Sequence, residues 1–252
     1  MILAKHALVT GGGSGIGEAI AVSLAEAGVS VVICGRRRDE LERVAQTSPK
    51  ITVATADVTD EASIAAVHEA AEQAGTPFDI VVANAGIATS SPAAKTSLAD
   101  WQRIMDVNLT GAFLTVKPAL GRMAKAGQGR IIFIASIAGL KGGAYIAPYV
   151  ASKHGVIGLT RALAAELAKT GVTVNAVCPG FVETPMLERS VARIVERTGR
   201  SVEEARAGLY AGNPQARFIQ PQEVADTVMW LVSDGARSIN GQSISVSGGE
   251  TW

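Results

Sequence analysis

The 252-residue chain has few cysteines, few aromatic residues and no excess of charge of either sign. Two cysteines are too few for disulfides to stabilise a chain of this size, and neither belongs to a CxxC pair or another metal-ligand spacing. Cys34 and Cys178 each end an apolar run, so we expect both as reduced, buried thiols. Lys and Arg together number 23, as do Asp and Glu. This balance removes any whole-molecule attraction to nucleic acid or to an anionic membrane.

Long apolar runs are also missing, since none approaches the ~18 residues that a membrane-spanning helix needs. The chain instead combines 48% hydrophobic with 18% charged residues, which is enough for a sizeable core and unlike a disordered chain. We expect one domain over residues 1–252. Residues 1–5 lead directly into the first apolar run, which leaves no room for a signal peptide, so the expected setting is the cytoplasm.

Short apolar or β-branched runs alternate with helical stretches along the whole chain. The runs are apolar almost throughout, which is typical of strands buried on both faces of a mostly parallel sheet. Repeated βα units with right-handed crossovers predict an α/β fold, a single doubly wound, Rossmann-type sheet with helices on both faces. The predicted strands are residues 7–9, 31–33, 51–53, 80–82, 131–134, 172–174 and 243–246. The predicted helices are residues 15–27, 39–46, 61–74, 98–126, 147–169 and 222–233.

One segment, residues 183–218, interrupts this alternation between the sixth strand and the following helix. A long excursion inside a single domain is usually functional, for example as a lid. Its apolar residues recur at helical spacing and predict an amphipathic lid helix over an apolar pocket. Three arginines four residues apart form a second stripe, which is either a solvated face or a contact for the phosphates of a coenzyme A or carrier-protein thioester. The apolar residues are Leu187, Val191, Ile194 and Val195, and the arginines are Arg189, Arg193 and Arg197.

A glycine-rich loop follows the first predicted strand and opens the first helix. Glycines allow a tight turn there and let a pyrophosphate approach backbone N–H groups, while the helix N-terminus contributes partial positive charge. In this position the loop predicts dinucleotide binding. The residues expected to contact the cofactor are Gly11, Gly13, Ser14, Gly15, Ile16 and Gly17.

The end of the second strand indicates which dinucleotide is bound. An acidic residue there would bind the 2′-hydroxyl of the adenosine ribose, but this strand ends in Gly35 and is followed by Arg36 and Arg37. Gly35 leaves space, and the Arg36 guanidinium can form a bidentate contact with a 2′-phosphate. Arg37 is also expected to contact the cofactor. We therefore expect NADP(H) as the preferred cofactor, with NAD(H) as the alternative.

Several motifs then occur in order along the chain: Thr10-Gly11-xxx-Gly15-x-Gly17, Asp57-Val58, Asn84-Ala85-Gly86, Asn108, Ser136, Tyr149-xxx-Lys153 and Pro179-Gly180. Together they resemble the motifs of the short-chain dehydrogenase/reductases in their compact form, and the resemblance covers essentially the whole chain. It implies a nicotinamide-dependent oxidoreductase with a catalytic tetrad of Asn108, Ser136, Tyr149 and Lys153. One departure is Ala135, where the family often has a second serine before the catalytic one.

The resemblance also assigns cofactor contacts outside the glycine loop. It implies that Asp57 and Val58 meet the adenine and that Asn84, Ala85 and Gly86 border the cofactor ribose. After Pro179 and Gly180, it implies that Val182 and Thr184 bind the nicotinamide carboxamide. For Asn108 it implies a proton relay through a water near the lysine, whereas the residue alone would indicate a polar kink in helix 98–126.

The chemistry of Tyr149 and Lys153 can be argued from the residues themselves. Tyr149 and Lys153 are four apart and share one face of a helix. A phenol with a pKa of ~10 is a poor base near neutral pH, but the Lys153 ammonium and an oxidised nicotinamide would both lower it, a shift of ~3 units requiring about 4 kcal/mol. Tyr149 would then exchange a proton with the substrate oxygen while hydride moves at the nicotinamide. Ser136, at the end of the fifth strand, would hydrogen-bond that oxygen.

The substrate is less clearly indicated. Residues 174–184 resemble 3-oxoacyl-thioester and polyketide ketoreductases, which implies a 3-oxoacyl thioester of coenzyme A or a carrier protein. An alternative is a broad or secondary-metabolic carbonyl reductase or alcohol dehydrogenase for small apolar substrates, with Ile137, Tyr145 and Met186 as pocket walls. A cofactor-sensing protein without turnover is a third hypothesis.

The remaining expectations concern partners and other classes of enzyme. The resemblance implies a homotetramer assembled through helices 98–126 and 147–169, with a homodimer as the alternative. The three histidines show no ligand spacing, so no metal is predicted, and no Gly-x-Ser-x-Gly element suggests an α/β-hydrolase.

Overall fold

The apolar runs form a parallel sheet, seen here in a computed structural model that describes residues 4–251. Residues 1–3, on which the signal-peptide prediction partly rests, lie outside the described residues. Within the described range the sheet has seven strands in the order β3-β2-β1-β4-β5-β6-β7, and every pairing is parallel. The strands are β1 (His6–Thr10), β2 (Ser30–Gly35), β3 (Ile51–Thr55), β4 (Ile80–Ala83), β5 (Gly129–Ile134), β6 (Val172–Pro179) and β7 (Ser243–Val246).

Helices cover both faces of this sheet. They are α1 (Gly15–Glu26), α2 (Arg38–Ala45), α3 (Glu61–Gln73), α4 (Leu98–Met105), α5 (Gly111–Ala126), α6 (Ala147–Glu166), α7 (Pro185–Thr198), α8 (Val202–Tyr210) and α9 (Pro221–Val232). Successive strand residues point to opposite faces, so Leu8 packs with α3, α5 and α6, whereas Ala7 and Val9 pack with α1, α2 and α9. The strands are apolar throughout because both faces are buried, and the predicted doubly wound fold is confirmed.

The predicted helix 98–126 is interrupted by a π-helical turn at Asp106–Thr110, between α4 and α5. Such turns insert one extra residue into a helix and often occur at functional sites. Here the turn carries Asn108, whose side chain is buried. The prediction of one uninterrupted α-helix was therefore wrong, and the interruption lies at a residue that sequence motifs had selected for function.

Two other predicted boundaries differ from the structure. Strand β6 continues to Pro179 rather than ending at residue 174, because Asn175 is satisfied inside the sheet: its Nδ2 donates to the Ile239 carbonyl at 2.8 Å and its Oδ1 accepts from the Gln242 N–H at 3.0 Å. Helix α6 ends at Glu166 rather than at residue 169, because the chain turns towards β6 through Gly171 with a φ of 74°.

The excursion over residues 183–218 folds as a helical pair, α7 and α8, with a small apolar cluster of its own. Leu187, Val191, Ala205 and Phe218 form that cluster, with Ile194 and Val195 packed against it. The predicted amphipathic helix is confirmed as α7. Both ends of the excursion are joined by a bridge between Val182 and Ile219. We call residues 183–218 the lid segment.

Within residues 4–251, no helix is both long enough and apolar enough to cross a membrane.

Candidate active site

The order of the strands reverses beside β1, since β2 and β3 lie on one side of it and β4 to β7 on the other. Ligands of doubly wound sheets bind at the carboxyl ends of the strands, at this reversal. The loops that follow β1, β4, β5 and β6 begin there. They carry the glycine loop, Asn84, Ser136 and Gly180, so the fold brings four of the predicted motifs to one edge.

The glycine loop is tightly packed against Asn84, which follows β4, and against the start of the lid segment. A Cβ on Gly17 would collide with the Gly11 carbonyl and the Asn84 amide, so only glycine fits where α1 approaches the end of β1. Gly15 has a φ of 58°, and a Cβ there would lie 2.9 Å from Cγ2 of Thr184 at the start of the lid segment. The loop and the base of the lid segment are therefore in direct contact.

Asn84 fixes the spacing between β1 and β4. Its Nδ2 donates to the Thr10 carbonyl at 2.8 Å, and its backbone N–H donates to Thr10 Oγ1 at 3.1 Å. The Ala85 N–H shares the same hydroxyl at 3.2 Å. The motif Asn84-Ala85-Gly86 thus anchors the loop after β4 to the start of the glycine loop, and Thr10 is a site residue whose own role the sequence prediction missed.

Lys153 lies inside the protein on α6 and is only 4% exposed. Its Nζ donates to the Ile134 carbonyl at 2.8 Å and lies 5.7 Å from the ring centroid of Tyr149. Tyr149 and Lys153 thus lie close together on α6, as predicted. A lysine ammonium has three N–H donors, so two of them remain for other acceptors. Nζ lies beside Gly86, since a Cβ built on this glycine would be 3.7 Å from it.

Asn108 is held from two sides inside the π-helical turn. Its Oδ1 accepts from the Ile87 N–H at 2.8 Å, and its Nδ2 donates to the Ile87 carbonyl at 2.9 Å and to Ser152 Oγ at 3.1 Å. Ser152 in turn donates to the Tyr149 carbonyl at 2.8 Å. Asn108 therefore links the loop after β4 to α6, the helix that carries Tyr149 and Lys153. No sequence signal selected Ser152, which stands between Tyr149 and Lys153 without belonging to a motif.

Ser136 follows β5 and begins the short turn Ile137–Gly139. Its Oγ accepts from the Ala138 N–H at 3.1 Å, which fixes the side chain at the end of the strand. The hydroxyl lies close enough to Tyr149 to lower the pKa of the phenol in part. Ser136, Tyr149 and Lys153 thus converge at one point.

Burial shifts the pKa values of Tyr149, Lys153 and Cys178. Burial raises the pKa of Tyr149 above its usual value, and this effect exceeds the opposing hydrogen bond of Ser136. Burial lowers the pKa of Lys153 to about 8, because the interior disfavours the ammonium. Among the protein's own groups, the cost of burying a phenolate therefore dominates the pKa of Tyr149. The predicted lowering counted an oxidised nicotinamide beside Lys153, and it stays a prediction. Burial also raises the pKa of the Cys178 thiol to about 11, so it is neutral at pH 7.

The end of β2 combines open space at Gly35 with the exposed guanidinium of Arg36. A Cβ on Gly35 would meet only Cδ2 of Leu41, at 3.8 Å, so the space beside this glycine is not filled by the protein. Arg36 is exposed, and its Nη1 lies 3.9 Å from Oδ2 of Asp57. Thr59 and, to a smaller extent, Arg36 hold the pKa of Asp57 below its usual value.

Val58 and Arg37 are two further predicted cofactor residues. Val58 is buried against Gly111 of α5, so its side chain belongs to the core and a contact with adenine would have to come from its backbone. Arg37 precedes α2, and its Nη1 lies 3.6 Å from Glu40. It also lines a groove of about 420 Å³ with Ser14, Gly15 and the first residues of the lid segment.

The predicted pocket walls come from separate segments. Ile137 is buried in the turn after β5, and Met186 is half-buried near the start of α7. Tyr145 is 64% exposed and has a φ of 66°, an uncommon conformation for a non-glycine residue. Its carbonyl accepts from the Ser91 N–H at 2.8 Å, so the loops after β4 and β5 are joined there.

The three histidines lie apart. His68 is buried against Phe78, and its Nε2 is 3.0 Å from the Thr115 carbonyl. His6 lies at the start of β1 and His154 on the exposed side of α6. Within residues 4–251, no group of three or more His, Cys, Asp or Glu side chains could hold a metal ion. Both cysteines are free and buried, as predicted.

Known proteins share this sequence and fold. A model of the short chain dehydrogenase family matches residues 5–194. A Streptomyces coelicolor protein named as a ketoacyl reductase is 41% identical over 249 residues, 96% of this chain and 95% of that protein. A D-beta-hydroxybutyrate dehydrogenase of Rhizobium meliloti is 37% identical over 256 residues, 99% of each chain. The crystal structure of an actinorhodin polyketide ketoreductase variant with NADPH superposes with a TM-score of 0.94 at 39% identity, covering 99% of this chain and 98% of that one.

These likenesses span the whole molecule and agree with the motifs that converge at the carboxyl edge of its sheet. The chain belongs to the short-chain dehydrogenase/reductase family and is a nicotinamide-dependent oxidoreductase that acts on C=O and CH–OH groups.

Proposed function

We propose that this oxidoreductase reduces the 3-oxo group of an acyl thioester, carried by coenzyme A or by a carrier protein, with NADPH as the preferred reductant. The observation that carries the proposal is the convergence of Ser136, Tyr149 and Lys153 beside the glycine loop. The names of two relatives, a ketoacyl reductase and a polyketide ketoreductase with NADPH, support the substrate class and the cofactor.

In this proposal a bound nicotinamide supplies the hydride. The Ser136 hydroxyl donates a hydrogen bond to the substrate oxygen as negative charge develops there. Tyr149 donates its proton to the same oxygen. The raised pKa of Tyr149 suits reduction, because the phenol holds its proton at neutral pH until the substrate oxygen takes it.

Lys153 and Asn108 act on this proton donor from inside the protein. The two N–H groups of Lys153 that do not bond Ile134 are available to the hydroxyls of a cofactor ribose beside Gly86. Its positive charge favours the phenolate that is left after proton transfer. Asn108 holds the loop after β4 against α6, and the proposed relay of protons to solvent would pass through its neighbourhood.

The cofactor preference is tested at Arg36. Removing its guanidinium with Arg36→Ala should raise the KM for NADPH by about 10-fold or more and leave the KM for NADH within about twofold, since only NADPH carries the 2′-phosphate. Arg38→Ala is the matched control, because Arg38 lies on α2 and pairs with Glu42 at 2.7 Å. Equal effects of Arg36→Ala on the two cofactors would contradict the assignment.

The substrate class is tested by NADPH and NADH oxidation against acetoacetyl-CoA and a panel of small ketones. The proposal expects acetoacetyl-CoA to have the highest kcat/KM. A second candidate, a reductase for small carbonyl compounds, is favoured by the hydroxybutyrate dehydrogenase among the relatives and predicts the opposite order. Cofactor binding without turnover of any compound would indicate the sensing protein instead.

We also propose a homotetramer built on α4 with α5 and on α6, with the homodimer as alternative. Leu98, Trp101 and Phe113 are apolar and exposed on the first of these faces, and Ala162 and Ala165 are exposed on α6. Exposed apolar side chains on two helices suit contact with other subunits. Light scattering of the purified protein tests this, and a monomer would contradict it. A cytoplasmic setting remains a prediction.

A further inference from the structure

Glu250 is a nearly buried carboxylate close to the end of the chain, outside every predicted motif. Its side chain is 8% exposed. Its Oε1 accepts from Lys141 Nζ at 2.9 Å, and its backbone carbonyl lies 3.5 Å from the same ammonium. A buried carboxylate is costly unless it is paired, so Lys141 is the partner that makes this position possible.

Two glycines make room for the carboxylate. A Cβ on Gly212 would lie 3.0 Å from Oε1, and a Cβ on Gly180 would lie 3.5 Å from Oε2. Gly212 follows α8 at the exit of the lid segment, and Gly180 directly follows β6. The Glu250 side chain therefore lies between Gly212, near the end of the lid segment, and the loop at Gly180 that leads into the lid segment.

The backbone around Glu250 is fixed independently of the ion pair. Gly248 has a φ of 64° and lies against the buried Asn213, where no side chain would fit. The Glu250 N–H donates to the Ser247 carbonyl at 3.3 Å, and the Thr251 hydroxyl lies 2.6 Å from that of Ser245. The turn that carries Glu250 is thus held by contacts other than the ion pair with Lys141.

Three segments of the active site meet at this carboxylate. Lys141 belongs to the loop that begins with Ser136, and its N–H donates to the Ile137 carbonyl at 2.9 Å. Gly180 begins the loop that carries Val182 and Thr184, and Gly212 ends the helical part of the lid segment. We propose that Glu250 is a positioning residue, which through Lys141 fixes the lid segment relative to the Ser136 loop and so determines how tightly the ketone substrate is held.

The proposal rests on the proposed function for its kinetic readout. Glu250→Gln and Lys141→Met should each raise the KM for acetoacetyl-CoA by about 3- to 10-fold, with kcat within about twofold. The double variant should be no worse than either single one, because both remove the same contact. Lys141→Arg keeps the charge and should restore most of the KM. Glu61→Gln, which breaks a surface ion pair with Lys117 between α3 and α5, is the matched control and should change neither parameter.

Hydrogen exchange supplies a readout that does not depend on the substrate. In Glu250→Gln the amides of α8 and of residues 211–213 should exchange faster, while those of β4 and β5 stay as in the wild type. This result with no turnover of any ketone would refute the proposed function and keep the positioning role. An unchanged KM together with unchanged exchange would overturn the proposal. If Glu250→Gln does not fold, Lys141→Met decides by the same measurements, since Lys141 is 43% exposed.

Discussion

The predicted catalytic groups and the lid segment are held in the fold in different ways. Lys153 and Asn108 are 4% and 1% exposed, and their hydrogen bonds reach the ends of β4 and β5 and the helix α6. The lid segment has a small apolar cluster and depends on exposed charges, with Arg206 bonding to both Glu183 and Glu188. Exposed ion pairs contribute little stability, so the lid segment should open at a much lower free energy than the sheet edge.

This contrast separates two tasks. Proton transfer needs groups that keep their positions and environment, and the sheet edge provides both through burial. Under the proposed function, selecting a substrate needs a surface that can move and vary without disturbing that environment, and we assign this task to the lid segment, whose two ends are joined by the bridge between Val182 and Ile219. Changes at the sheet edge should therefore alter kcat, and changes in the lid segment should alter which substrate is used.

The largest effect is expected at the proton donor. Tyr149→Phe removes only a hydroxyl, so the fold and the affinity for NADPH should be unchanged while kcat falls by about 1000-fold or more, because no other group can protonate the substrate oxygen. The measurement is steady-state kinetics with a separate NADPH titration. Tyr210→Phe is the control from the lid segment, where the ring packs edge-on to Phe218 at 5.1 Å, and it should keep kcat within about twofold. Comparable losses in the two variants would remove the distinction between the regions.

Lys153→Met should separate activity from stability. We expect kcat to fall by about 100-fold or more, while the free energy of unfolding at pH 7 increases by about 1–3 kcal/mol, because a poorly solvated ammonium is replaced by an apolar chain of similar length. Denaturant unfolding and steady-state assays measure the two effects.

The pH dependence of this stability gain has a definite sign. The folded pKa of Lys153, about 8, lies below the value of 10.5 for an exposed lysine. Between these values the unfolded chain binds more protons, so the wild type gains stability as pH rises across that window. The advantage of Lys153→Met should therefore shrink from pH 8 to pH 10.5. An advantage that stays constant over this range would show that burial of the ammonium is not its cause.

Much of the fold could be predicted because its signals are local. Strands that are buried on both faces of the sheet are apolar throughout, and the glycine loop marks the first crossover. The failures had particular causes. Asn175 interrupts an apolar run yet belongs to β6, since its amide is satisfied by the backbone around residues 239–242. Helix α8 was missed although its start carries a capping box, Ser201 with Glu204, which is a readable signal.

The proximity of Tyr149 and Lys153 could be predicted because a spacing of four places them on one face of a helix, and the position of Ser136 follows from the end of a strand. Their catalytic roles, and the choice of Asn108, rest on the resemblance to the family. Their environment could not be predicted in the same way. The pKa of Tyr149 depends on burial by segments distant in sequence, whereas the motif shows only the positive charge of Lys153 nearby. The pair of Lys141 and Glu250 is separated by more than a hundred residues and belongs to no motif, so only the folded chain brings it together.

A smaller and more selective effect than those at Tyr149 and Lys153 is expected in the lid segment. Arg206 and Arg217 are paired with glutamates, whereas within the described residues Arg189 and Arg193 of α7 have no ion-pair partner. Two unpaired guanidinium groups one helical turn apart suit a phosphate. The double variant Arg189→Glu with Arg193→Glu should lower kcat/KM for acetoacetyl-CoA by about 5- to 20-fold at low salt and leave a small ketone within about twofold.

The control for this variant is Arg200→Glu, which reverses an exposed charge beyond the end of α7 and should affect neither substrate. Added salt should reduce the loss for the thioester, because the contact is with a solvated anion. If neither substrate loses activity, the stripe is a solvated face and the thioester proposal loses its support from α7. If both substrates lose activity equally, the lid segment acts on the reaction centre, and the division between the two regions fails.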